Sequence, residues 1–73
     1  METRMNFNEI FNTHVDGSIE PRRLIQVGGV SFGPGVRFNR GVSFSGIDFS
    51  LFIGREFQVR DENGVINILG VFQ

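Results

Sequence analysis

Between Gly29 and Phe49 one four-residue phrase occurs four times: Gly29-Val30-Ser31-Phe32, Gly35-Val36-Arg37-Phe38, Gly41-Val42-Ser43-Phe44 and Gly46-Ile47-Asp48-Phe49. The starts are spaced by six, six and five residues. In each unit the aliphatic residue and the phenylalanine stand two positions apart, so on extended backbone both side chains point to the same side. The pattern therefore specifies short strands with one buried face. It names no reaction and no ligand.

Chain length sharpens that constraint. A sequence of 73 residues is expected to form one domain, 1–73, and to bury only roughly 60% of its unfolded surface. It has no cysteine, so neither a disulfide nor a thiolate metal site can reinforce a thin core. Stability must come from Phe, Val and Ile packing, or from burial against another copy of the chain. The absence of cysteine also fits a reducing compartment.

The chain divides into an N-terminal helical arm, residues 1–20, and a β meander, residues 21–73. Residues 1–5 read as a frayed start. Asn6 can cap a helix, with Glu9 as the reciprocal partner of a capping box and Met5 and Ile10 as a hydrophobic staple. Phe7, Ile10, Phe11 and His14 then follow the spacing of one helix face, which predicts a helix over about 7–14. Asp16-Gly17-Ser18 is a turn, and Pro21 blocks continuation of the helix.

Arg22–Val27 reads as the first strand. At Gly28-Gly29 the apolar set moves from odd to even positions, as at a β-bulge or sharp bend. Gly33-Pro34-Gly35 meets the requirements of a type II turn, and Asn39-Arg40-Gly41 those of a three-residue hairpin loop. Ser45-Gly46 switches face again, leaving Ile47, Phe49, Leu51 and Ile53 as the apolar positions of a further strand that Gly54 closes. Glu56–Arg60 and Val65–Phe72 flank Asp61-Glu62-Asn63-Gly64, read as a four-residue hairpin loop. That register sets Val59 opposite Ile66 and Phe57 opposite Ile68, and pairs Gln58 with Asn67.

The expected fold is mainly β: a short helix, then a five- to six-stranded antiparallel meander curled into a small barrel or roll. The alternative is a short β-solenoid-like oligomer, since stacked neighbours would have to supply the core of so few repeats. The last strand carries Val65, Leu69 and Val71 on its second face. A strand apolar on both sides is covered on both sides, by the N-terminal helix or by a second subunit, and in the second case these three residues are the candidates for self-association.

Function classes narrow mostly by exclusion. The formal net charge of −1 argues against a domain held to nucleic acid by charge. No apolar run is long enough to span a bilayer, and the N-terminus lacks a signal core, so a cytoplasmic protein is expected. His14 is the only histidine and has no second His or Cys for a transition-metal site. Asp61-x-Asn63-Gly64 resembles the opening of a calcium loop but lacks its remaining carboxylates, and a hairpin turn accounts for it. The glycine-rich turns lack the Lys-Ser/Thr of a phosphate loop. Ser18 alone among the serines lies near His14 in sequence. Asp48 and Glu56 stand where solvated strand positions are expected. No cofactor, metal or small-molecule substrate is therefore expected.

Binding remains. The expected role is a non-catalytic protein-interaction or self-assembly module, acting as a homo-oligomer or on another protein. A second possibility is a single-stranded nucleic-acid binder in which Arg37, Arg40, Arg55 and Arg60 act with exposed Phe rings. A third is a small enzyme of unknown reaction, for which the residues offer the least support.

Overall fold

The computed structural model describes residues 2–43 and 46–72. In chain order they form strand β1 (Glu2–Asn6), a one-turn helix α1 (Phe7–Ile10), strands β2 (Phe11–Thr13), β3 (Ile19–Pro21), β4 (Ile25–Val27) and β5 (Val30–Phe32), a 3₁₀ helix (Phe49–Phe52), and strands β6 (Glu56–Glu62) and β7 (Val65–Phe72). Five strands make one sheet in the order β1-β6-β7-β4-β5, while β2 and β3 make a separate two-stranded sheet. The fold is mainly β with a short helix, as expected. It is not an all-antiparallel meander, because β4 runs parallel to β7 through Ile25↔Ile66 and Gln26↔Asn67. Among the described residues no barrel closes: β1 and β5 are the two edges of an open sheet.

The capping box forms as the sequence requires. The Asn6 N–H donates to Glu9 Oε1 at 3.0 Å, and Asn6 Oδ1 accepts from the Asn8 N–H at 3.0 Å. Instead of running to residue 14, however, the helix ends at Ile10, and Phe11 takes up extended backbone (φ −126°, ψ 150°). A single turn persists because other parts of the chain satisfy its backbone groups. The Phe7 N–H donates to the Arg55 carbonyl at 2.9 Å. Arg22 closes the other end, giving its Nε to the Asn8 carbonyl and its own N–H to the Ile10 carbonyl, both at 2.8 Å. Phe11 then pairs with Pro21 across β2 and β3.

The N-terminal segment pairs and packs with the rest of the chain. Residues 2–6, expected to fray, pair along β6 from Glu2↔Arg60 to Asn6↔Glu56. Phe7, Ile10, Phe11 and Ile19 enter the same buried cluster as Ile25, Phe57, Val59 and Ile66.

The four repeated units do not share one conformation. The first unit includes β5, which returns from β4 through Gly28-Gly29. Both glycines have positive φ (56° and 84°) and make a two-residue hairpin turn, not a bulge. Gly33-Pro34-Gly35 forms the expected type II turn, closed by the Val36 N–H on the Gly33 carbonyl at 3.3 Å, with Gly35 at φ 96°. The turn at Asn39–Gly41 also forms, with the Val42 N–H on the Asn39 carbonyl at 3.2 Å. Among the described residues it joins no hairpin, and Phe38 bridges to Ile19 in antiparallel fashion. The expected strand through Ile47, Phe49, Leu51 and Ile53 is replaced by the 3₁₀ helix, whose N-cap is Asp48. Phe44 and the Ser45 half of the second switch lie outside the described residues.

Side-chain direction follows from these differences. Phe38 and Phe49 are buried, whereas Val30, Val36 and Val42 are exposed. Phe38 turns inward while Val36 is exposed, whereas Ile47 packs against the core together with Phe49, so units this unlike cannot stack as the rungs of a solenoid.

The last hairpin is tighter than expected. Asn63 and Gly64 both have positive φ (54° and 79°), the geometry of a two-residue type I′ turn. Asp61 and Glu62 therefore continue β6 and pair with Ile66 and Val65. The register shifts by two residues, setting Val59 opposite Ile68 and Arg60 opposite Asn67. A shift of two preserves the side each residue faces, so Phe57, Val59 and Ile66 are buried as expected. Between Val59↔Ile68 and Gln58↔Gly70 the register breaks. Leu69 is the extra residue of a β-bulge, and beyond it odd positions of β7 replace even ones on the core side. A Cβ at Gly64 would meet nothing within 4 Å, so Gly64→Val tests backbone strain alone. It is expected to cost about 1–2 kcal/mol, which lowers Tm by roughly 4–16 °C in a domain of this size. An unchanged melting curve would contradict the turn.

Candidate functional site

The bulge in β7 opens a half-enclosed apolar pocket of about 150 Å³. Its walls include Phe49 and Phe52 from the 3₁₀ helix, Phe57 from β6, and Ile68, Leu69 and Val71 from β7. Local sequence explains the arrangement. Asp48 caps the 3₁₀ helix, its Oδ1 accepting from the Ser50 N–H at 3.0 Å and the Ser50 hydroxyl at 2.6 Å. The helix closes where the Arg55 N–H donates to the Phe52 carbonyl at 2.9 Å. One turn thus carries Phe49 inward and leaves Phe52 at the pocket. Leu51 on the same helix is 72% exposed, Leu69 is 47% exposed, and Ile53 and Phe72 are also exposed.

A void near 150 Å³ accommodates one benzene-sized or branched aliphatic group. It falls below the roughly 300 Å³ at which ordinary metabolite pockets begin. The chemistry available is therefore apolar contact with a single side chain or fragment.

The three candidates for self-association separate. Leu69 is exposed at the pocket, Val65 is half-buried next to the hairpin turn, and Val71 packs toward the core. Strict alternation along β7 would put Val71 on the same side as the other two. The bulge breaks that alternation and turns Val71 inward, so the three do not form one outer stripe.

The four candidate arginines occupy different parts of the fold. Arg37 Nε lies 3.8 Å from Glu20 of β3. Arg60 binds Glu2 at 3.1 Å and approaches Glu62 at 3.6 Å on the five-stranded sheet. Arg40 lies in the turn after Phe38, and Arg55 precedes β6. Elsewhere, Arg23 holds Asp61 through two contacts of 2.9 and 3.0 Å. Arg4 lies 3.2 Å from Glu56 and 3.8 Å above the Phe72 ring. The sheet's polar residues thus form a network of opposite charges, with carboxylates beside most of the guanidinium groups.

A second polar cluster joins the small sheet to the type II turn. Glu20 Oε1 meets His14 Nε2 at 2.7 Å, and Glu20 Oε2 accepts the Gly35 N–H at 2.6 Å. These contacts, the Gly35 amide first and His14 second, hold the Glu20 carboxyl below the usual carboxylate range. Ser18 Oγ donates to Asp16 Oδ1 at 2.6 Å, not to His14. The serine and histidine are therefore not arranged as a nucleophile and its base. Asp16 and Asp48 play the same part at two places, each accepting from the N–H and hydroxyl of a serine two residues on. The Asp-x-Ser spacing is the sequence signal for both, and at Asp48 the apolar alternation of Ile47, Phe49, Leu51 and Ile53 masks it.

Among the described residues no group of three His, Asp or Glu could hold a metal ion, and no buried side-chain nitrogen or oxygen lacks a partner. Among them, too, no helix is long and apolar enough to cross a membrane. Comparison with protein-family models, with curated proteins and with solved structures finds no match.

The Glu20 contacts carry a pH signature. A carboxyl whose folded pKa lies below its unfolded value stabilises the fold fully above the unfolded value, about 4.3 for Glu. That contribution disappears as pH falls through the folded value. Glu20→Gln is expected to lower Tm at neutral pH, with the gap to the parent closing as the solution is acidified below about pH 4.3. Thermal melts across that range check it, and a gap independent of pH would contradict the role given to the Gly35 amide.

Proposed function

We propose that this chain is a small non-catalytic interaction module that associates with a second copy of itself. The observation supporting this reading is the apolar pocket at the β7 bulge, lined in part by exposed Leu69, with Leu51 exposed on the 3₁₀ helix that supplies two of its walls. A thin core makes the reading physically reasonable: a domain this small gains much from covering apolar surface it cannot bury alone. The rest of the surface points the same way. Its histidine, its capping aspartates and most of its arginines already have partners within the fold, while the pocket has room for an incoming group.

The reading is tested by light scattering over a dilution series from high to low micromolar. The expected result is a concentration-dependent mass approaching twice the 8.2 kDa of one chain. A constant mass of one chain throughout the series would remove the proposal.

A further inference from the structure

Resting on the self-association reading, we infer that the group filling the pocket is Leu51 of a second copy, in a twofold dimer built on the 3₁₀ helix. The pocket, about 150 Å³ and apolar, suits one branched aliphatic side chain. Leu51 is such a side chain, and it is 72% exposed on the helix that supplies two walls of the pocket through Phe49 and Phe52. A projection and a recess carried by one element are what an isologous contact uses, since each copy offers both at once.

Charge order fixes the direction of approach. Asp48 stands immediately before the helix and Arg55 follows it. When two copies of the segment 48–55 cross antiparallel, the axis falls between Leu51 and Phe52, and Asp48 of each copy meets Arg55 of the other. A parallel crossing would set like charges together. The Arg55 guanidinium makes no hydrogen bond or ion pair with any described residue. Asp48 remains a carboxylate at neutral pH, held below the usual range chiefly by the Ser50 hydroxyl.

Three variants of the full chain test the inference, each measured by sedimentation with a thermal melt to confirm folding. Leu51→Asp removes the projection from an exposed site. Val71→Phe fills the recess from inside, at a half-buried position that lines it. Both are expected to leave a folded monomer at concentrations where the parent is a dimer. Arg55→Glu is expected to weaken the dimer by about tenfold, because the twofold axis counts the Asp48–Arg55 contact twice. A parent dimer that survives both Leu51→Asp and Val71→Phe overturns this arrangement and leaves self-association through another surface. Dissociation by Leu51→Asp alone also overturns it, since Leu51 would then be meeting something other than the pocket. A monomeric parent overturns this inference and the proposed function together.

Discussion

Four phenylalanine rings hold the molecule together, and they form a closed circuit. Phe7 stacks on Phe11 with centroids 4.8 Å apart, Phe11 meets Phe49 at 5.5 Å, Phe49 meets Phe57 at 6.0 Å, and Phe57 returns to Phe7 at 6.3 Å. Each ring comes from a different element: α1, β2, the 3₁₀ helix and β6. Every pair contributes about 0.5–1.5 kcal/mol beyond area burial. The pairing also orients the pieces, because offset and tilted rings tolerate few relative positions. A four-residue helix and a four-residue 3₁₀ turn have almost no stability of their own. They persist because their rings fill the same small volume from opposite sides.

The sequence made some of this legible, and the division has a physical cause. Signals confined to a few adjacent residues were read correctly: the Asn6–Glu9 capping box, the Gly-Pro-Gly turn, and the inward face of Phe57, Val59 and Ile66. Signals that needed to know what lies opposite were not. Phe7, Ile10 and Phe11 have helical spacing, but a single turn already brings them to one side, so the spacing cannot say how long the helix runs. Val30, Val36 and Ile47 sit in matching tetrapeptides, yet the backbone around each is decided by the turns on either side. Three-residue segments carry too little local preference to resist that.

The candidate site was legible in part for the same reason. Leu69 could be picked out as an apolar residue on the solvent side of the last strand, but the recess beside it could not. It depends on one extra residue in β7, and a bulge leaves no mark when the added residue is as apolar as its neighbours. The charged residues show the complementary lesson. Their net value near zero hides a patterned sheet surface on which Arg23 meets Asp61 and Arg60 meets Glu2. On that surface most of the guanidinium groups already have carboxylate partners within the fold.

The pairing of β1 with β6 bears on how the molecule comes into being. Glu2 finds its strand partner at Arg60, so β1 must wait for a segment far along the chain. In the interval β1 and the Phe7–Phe11 pair have no sheet to dock on, and the tight β6–β7 hairpin must close before they can settle. Contacts this distant in sequence slow assembly, and unpaired strand edges invite mispairing meanwhile. The alternating Glu2 and Arg4 on that first strand keep the waiting segment hydrated until its neighbour arrives.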